Sequence, residues 1–303
     1  LSQYKDEYNL ADTDLYDYDN FDDIASNENV DIVYIVLPNS MHAEFSIRAA
    51  KAGKHVICEK PMAMNPDECR NVMEVMNETG MRFSMGYRLH FDPFNKEMMR
   101  LGQDEVFGKV QKMTLLDSKD LGEKKTWRVN KELAGGGPLM NYGVYCIQAA
   151  LYITGKLPIA VNASFSPRTD KERFDEVEEG IKFTLHFEGN VTADCECSYT
   201  KEQNLMNVKA AHGWFQLEPA YEYEGIKGKT SAGEINFEGV NQQAMQMDDF
   251  ARCIKENIPT RVPAVMGLRD MEIIAAVYLA AKTNTKVEFK PGLFKTVTDS
   301  LVV

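Results

Sequence analysis

A chain of 303 residues is longer than one compact core usually carries, so two domains are expected. An apolar content of 44% with 26% charged residues excludes a disordered, collagenous or disulfide-stapled chain. The net charge of −12 argues against nucleic acid as a partner, and its uneven placement, nine acids against Lys5 alone in residues 1–30, reads as a solvated acidic surface. The longest apolar run, Ile273 to Ala281, falls far short of the roughly 20 residues of a membrane span, so none is expected. Six cysteines at wide spacing give no disulfide framework, which makes a reducing, cytoplasmic compartment the expectation, with the periplasm left open because no leader can be read upstream of Leu1.

Residues 1–30 offer at most one helix and a short strand around Leu15 to Tyr18. The run Asp31 to Pro38 is apolar and β-branched, the pattern of a strand buried on both faces. A helix follows to Ala52, with Gly53 at the position that ends it. A second strand is expected over His55 to Glu59, a second helix from Pro66 to Gly80, and a third strand over Arg82 to Tyr87. Strand, helix, strand, helix, strand with short connections is half of a doubly wound parallel sheet. The preceding β-α-β half is missing from the sequence, and the expectation is that the sequence starts about 50–60 residues late, a length typical of such a unit.

Beyond residue 100 the period changes to two. In Ile181 to Phe187, the side chains of Ile181, Phe183, Leu185 and Phe187 share one face and Lys182, Thr184 and His186 the other, as in an antiparallel sheet with one wet face. Glu188-Gly189-Asn190 turns the chain into a strand from Val191 to Thr200, and a meander continues toward Gly239. Helices from Asn241 to Asn257 and Val265 to Thr283 precede a last strand, Lys286 to Phe289. The expected fold class is a Rossmann-like α/β parallel sheet joined to an α+β domain with a large open, mainly antiparallel sheet. Residues 1–89 would form the first domain, 90–285 the second, and 286–303 a strand and tail.

No G-x-G-x-x-G occurs, and Gly135-Gly136-Gly137 before Pro138 reads as a flexible lead-in to a helix with Pro in its first turn. Leu37-Pro-Asn-Ser-Met-His42 and Cys58-Glu-Lys-Pro61 each follow a predicted parallel strand at its carboxyl end, where ligands of such sheets bind. Lys60, just past a buried strand and preceded by Glu59, suits a partly dry cation that holds a substrate oxygen, although a surface lysine leaving a strand has the same spacing. His55, Cys58 and Glu59 do not share one strand face, so no metal site is expected. Cys195 and Cys197 do share one and read as small buried apolar residues.

These two segments, with Gly86-Tyr-Arg88, Trp127-Arg128 and Ala134-Gly-Gly-Gly-Pro-Leu-Met-Asn-Tyr-Gly-Val-Tyr145, resemble the glucose-fructose oxidoreductase / inositol dehydrogenase (Gfo/Idh/MocA) family. The resemblance implies a sugar or polyol oxidoreductase that uses NAD or NADP and assembles as a homodimer or homotetramer through the open sheet. It implies a cis Lys60-Pro61 peptide, Lys60 on the substrate, and a cofactor bordered by Leu37, Pro38, Asn39, His42, Glu59, Lys60, Arg88, Trp127 and Arg128. The glycine-rich helix adds Asn141, where the family carries an acid, and Tyr145, where it carries His or Tyr. Positions 141 and 145 are one helical turn apart and project from one face. Tyr145 is expected to exchange the substrate proton, its pKa lowered by Lys60. Asn141 keeps hydrogen bonding and loses charge, so the alternative is a non-catalytic member that binds dinucleotide or sugar.

Overall fold

The computed structural model describes residues 2–122 and 125–290. After a first helix α1 (Ser2–Tyr8), the acidic segment forms 3-10 turns at Asp12–Asp14 and Phe21–Ser26. The strand expected over Leu15 to Tyr18 is absent. There the side chain of Asp17 accepts the backbone N–H groups of Asp19 and Asn20, and Asn20 returns a bond to the N–H of Asp17. Local side-chain bonds of this kind compete with a β-ladder and win where no partner strand is offered. Tyr18 and Phe21 instead lay their rings edgewise on Phe45.

The chain from Ile32 to Met85 follows the expected alternation: β1 (Ile32–Ile35), α2 (Asn39–Lys51), β2 (His55–Cys58), α3 (Pro66–Thr79) and β3 (Phe83–Met85). The three strands are parallel in the order β1-β2-β3. Their register aligns Ile35 with Cys58 and Cys58 with Met85, so Val36, Glu59 and Gly86 leave the sheet side by side. Helix α3 starts where the sequence places it because the Asn65 side chain accepts the Glu68 N–H and donates to the Glu68 carboxylate, with Pro66 in the first turn. It stops at Gly80, whose φ of 70° is the left-handed cap that favours glycine.

Helix α4 (Pro93–Gln103) leads into β4 (Val110–Ser118); α5 (Lys131–Ala134) and α6 (Val144–Thr154) follow, then β5 (Ala160–Phe165), β6 (Gly180–His186), β7 (Thr192–Ser198), β8 (Gln203–Ala210), β9 (Gly213–Leu217), β10 (Gly228–Thr230) and β11 (Gly233–Ile235). Helices α7 (Gln242–Glu256) and α8 (Ala264–Thr283) and a short β12 (Val287–Glu288) complete the described chain. Among the described residues the second sheet has nine strands in the order β11-β10-β9-β8-β4-β7-β6-β5-β12, antiparallel except for the β4–β7 pair. One face is apolar: Ile181, Phe183 and Leu185 are buried beneath α6 and α8. The other is wet, with Lys112 paired to Asp194 at 2.7 Å and Lys182 to Glu196 at 3.6 Å. The final strand is shorter than expected, and the tail at 291–303 lies outside the described residues.

Helix α8 fixes the two sheets to each other. It packs on β5, α3 and β3, and Gly267 sits so close to Met85 and Met62 that a Cβ there would meet both sulfurs. Its Asp270 accepts from Tyr87 at 2.5 Å, just beyond β3, and from Gln148 of α6, which is in turn bonded to His90 at 2.8 Å. This buried network sets α6 against the end of the parallel sheet, and thereby Tyr145 against Lys60.

Candidate active site

The carboxyl ends of β1 and β2 open onto a cleft of about 830 Å³ whose far wall belongs to the second sheet and to α6. Lys60 and Asn141 line it from opposite sides. The Lys60 ammonium donates to the Asn141 backbone carbonyl at 2.5 Å and to its side-chain Oδ1 at 3.2 Å. Burial, opposed by Glu59 and Asp117, pulls the lysine down to about 8. The Lys60-Pro61 peptide is cis.

Tyr145 meets this lysine through its ring: Lys60 Nζ lies 4.6 Å from the ring centroid. The sequence reading placed a lowered pKa on this phenol, and the structure reverses that. Burial pushes the hydroxyl well above its ordinary value, and the cation that opposes the shift is Arg88, whose guanidinium lies 5.3 Å from the same ring. The phenol therefore stays protonated. Arg88 is itself fixed by the Tyr221 and Glu222 carbonyls at 2.5 and 3.0 Å and by Gln242, and it lies 3.8 Å from the Tyr223 ring centroid.

The glycine-rich segment is tightly packed, which corrects the expectation of a flexible lead-in. A Cβ at Gly136 would stand 2.0 Å from the Tyr278 hydroxyl, and one at Gly137 2.2 Å from the Glu178 carbonyl. The Glu178 carboxylate accepts the N–H groups of Gly137 and Leu139 and the Tyr278 hydroxyl. The helix after Pro138 opens as a π turn, Leu139–Gly143, before α6 begins. Asn141 thus lies in the π turn and Tyr145 in the α-helix, yet both line the cleft.

The other predicted residues, Leu37, Pro38, Asn39, His42, Glu59, Arg88, Trp127 and Arg128, line the same cleft. Their polar groups are unequally free. His42, 1% exposed, has one ring nitrogen 2.7 Å from the Pro61 carbonyl and the other 2.8 Å from the Leu37 carbonyl, so it joins the two loops that leave β1 and β2. Asn39 donates to the Ala134 carbonyl at 2.8 Å and ties α2 to the end of α5. Glu59 accepts the Tyr34 hydroxyl, and Gly86 packs so closely that a Cβ would lie 2.8 Å from the Glu59 Cα. Arg128 stacks on Trp127 at 4.7 Å.

Sequence reasoning missed Tyr34, Asp117 and the Tyr221 to Tyr223 loop. Asp117 closes β4 in the run Leu115-Leu116-Asp117-Ser118, which carries no motif. Its place in the cleft comes from the pairing of β4 with β8 and β7, strands distant in sequence.

Comparison with known proteins bears on this geometry. The family model described as "Oxidoreductase family, NAD-binding Rossmann fold" matches residues 3–87, and the Gfo/Idh/MocA C-terminal domain model matches 96–218. The crystal structure of aldose-aldose oxidoreductase from Caulobacter crescentus, complexed with glycerol, superposes with a TM-score of 0.92 at 37% identity, covering 95% of this chain and 88% of that one. The chain belongs to the Gfo/Idh/MocA oxidoreductase family. Two further relatives are the D-xylose 1-dehydrogenase [NADP(+)] of Haloarcula marismortui, 28% identical over 89% of this chain and 78% of its own, and the D-glucoside 3-dehydrogenase of Escherichia coli, 27% identical over 85% and 79%.

The cleft fits the nicotinamide end of this Gfo/Idh/MocA family's dinucleotide. Val36, 64% exposed beyond the sheet, forms with Leu37 and Pro38 an apolar shelf at the cleft, the kind of surface a flat ring covers. Among the described residues no glycine-rich turn joins a strand of the parallel sheet to its helix, so the fit concerns the ring and not the pyrophosphate.

Proposed function

We propose that this oxidoreductase transfers a hydride between NAD or NADP and a hydroxyl-bearing carbon of a sugar or polyol. The observation that carries the proposal is the convergence of Lys60, from the parallel sheet, with Tyr145, from the second domain, across one cleft at the carboxyl end of that sheet. When bound, the nicotinamide accepts the hydride or returns it. In the oxidising direction the C–H electron pair leaves with the hydride and the hydroxyl proton is taken by Lys60, a base suited to pH near 8 by its burial. Tyr145 keeps its proton and donates a hydrogen bond to the same oxygen. Asn141 holds the lysine in place through its carbonyl groups. Arg88, His42 and Asn39 act as positioning residues, because their polar groups are engaged by protein carbonyls or by Gln242. Leu37, Pro38, Glu59, Trp127 and Arg128 border the ring site. The relatives named for xylose, glucosides and aldoses support the sugar class.

Incubation with a panel of aldoses and polyols and either dinucleotide is expected to produce reduced nicotinamide, read by its absorbance, with at least one sugar. Silence across the panel with both cofactors would favour the non-catalytic reading. The division into residues 1–89, 90–285 and 286–303 stands as part of this proposal, supported by the two sheets.

The wet face of the nine-stranded sheet supports a homodimer or homotetramer that pairs these faces. Its ion pairs at Lys112–Asp194 and Lys182–Glu196 offer alternating charge to a second copy. Light scattering is expected to give a multiple of the chain mass, and a monomer at all concentrations would count against the pairing. Six free, buried cysteines support a reducing, cytoplasmic compartment, and among the described residues no helix is long and apolar enough to cross a membrane.

A further inference from the structure

Asp117 is 6% exposed, lines the cleft, and has no hydrogen bond or ion pair to its carboxylate among the described residues. Buried carboxylates ordinarily have partners, since one left unmatched is costly. The groups around it are Lys60 from the end of β2, Arg88 from the turn after β3, Glu222 from the loop after β9, Lys119 just beyond its own strand, and Tyr142 and Tyr145 from the helix wall. Lys60 and Arg88 are attracted to it, yet no described ion pair within 4.0 Å joins either of them to it. Lys60 and Asp117 both line the cleft. One further polar atom there, the Thr126 hydroxyl, lacks a partner among the described residues. An unpartnered carboxyl and the Lys60 amine lining one cleft match a ligand that presents one oxygen to the lysine and a neighbouring O–H to the carboxyl group.

We propose that Asp117 is a substrate-binding residue that accepts a hydrogen bond from the hydroxyl next to the carbon being oxidised, so that the site selects sugars with vicinal hydroxyls. This deepens the sugar reading and rests on it. In this assignment the acid that meets the substrate stands on β4, while position 141 on the glycine-rich segment holds an amide. With the reacting oxygen on Lys60 and Tyr145 and its neighbour on Asp117, the sugar is held at two points, which fixes the C–H bond relative to the nicotinamide side of the cleft.

The test uses Trp127, which lines the cleft, as a fluorescence probe of binding. D-glucose and 2-deoxy-D-glucose are titrated into the full protein and into Asp117→Asn and Asp117→Ala; the missing hydroxyl adjoins both positions at which the sugar relatives are named to act. In the unchanged protein the deoxy sugar is expected to bind about 10-fold more weakly, the loss of one hydrogen bond to a buried carboxyl group. In Asp117→Ala the two sugars are expected to bind within about threefold of each other, and in Asp117→Asn, which keeps the side-chain size and an acceptor, an intermediate penalty is expected. An undiminished deoxy penalty in both variants, or no penalty in the unchanged protein, overturns the role of Asp117 while leaving the sugar reading intact. If neither sugar binds the unchanged protein, and none of the panel is turned over, the sugar reading falls and takes this assignment with it.

Discussion

Lys60→Met is expected to lower kcat for sugar oxidation by about 10²–10⁴, the usual worth of a positioned proton-transfer group, while the affinity for dinucleotide changes little. Methionine matches the length and apolar stem of lysine, so the packing around Pro61 and Met62 is retained and only the ammonium is lost. In the structure that ammonium is anchored on the far side of the cleft, at 2.5 Å from the Asn141 carbonyl, and it stands 4.6 Å from the Tyr145 ring centroid. Its removal therefore takes away both the proton acceptor and the cation that bridges the two walls. Steady-state kinetics at saturating cofactor, together with a cofactor titration, separate the two effects. Unchanged turnover would remove Lys60 from the chemistry.

Asp117→Asn is expected to make the free protein more stable and the more so as pH rises. Burial holds the Asp117 carboxyl up at about 8, against about 3.9 in an unfolded chain. Between these values the folded state keeps a proton that the unfolded state has released, so the unfolded state binds fewer protons and stability declines with pH, by about 1.4 kcal/mol per unit for a single group. Lys60 works in the opposite sense. Its folded value, about 8, lies below the unfolded one, so its contribution recovers as pH climbs beyond 8. The asparagine is neutral throughout and escapes the first decline. Thermal unfolding at pH 5 and pH 7 is expected to show a Tm gain that widens at the higher pH, corresponding to at most about 3 kcal/mol over two units. A gain independent of pH, or a loss at both, would contradict the buried-carboxylate account. The variant would then be more stable and bind sugar less well, as expected where a site keeps a destabilising buried acid for function.

Much of the parallel half was legible because its signals are local. The apolar runs before Pro38 and Glu59 give the strands, and the Asn65-Pro66 start and Gly80 stop give a helix bounded as the residues demand. The strand expected at Leu15 to Tyr18 failed because alternation alone does not show that a partner strand is missing, while Asp17 and Asn20 close the turn with their own side chains. The period-2 run at Ile181 to Phe187 was readable down to its faces. The order of the nine strands was not, because β4 sits between β8 and β7, which follow it by tens of residues.

The same division holds in the cleft. Lys60 was visible from its place one step beyond a buried strand, and Tyr145 and Asn141 through the resemblance of the glycine-rich segment. The direction of the Tyr145 shift is not legible in the sequence, because it depends on the ammonium lying over the ring and on the burial of the phenol. The closed hydrogen bonding of His42 and Asn39 depends on carbonyls of Pro61 and Ala134, which no spacing in the sequence brings near them.

A desolvated lysine, steadied by an amide at position 141, acts on the substrate oxygen in the proposed reaction. The most direct measurement of this role is the pH dependence of kcat/KM for sugar oxidation in the protein and in Asn141→Asp. A rise with pH is expected that levels near pH 8 in the protein and moves upward in the variant, because a carboxylate beside Lys60 stabilises its charged form. A profile identical in the two proteins, or one with no limb near pH 8, would contradict it.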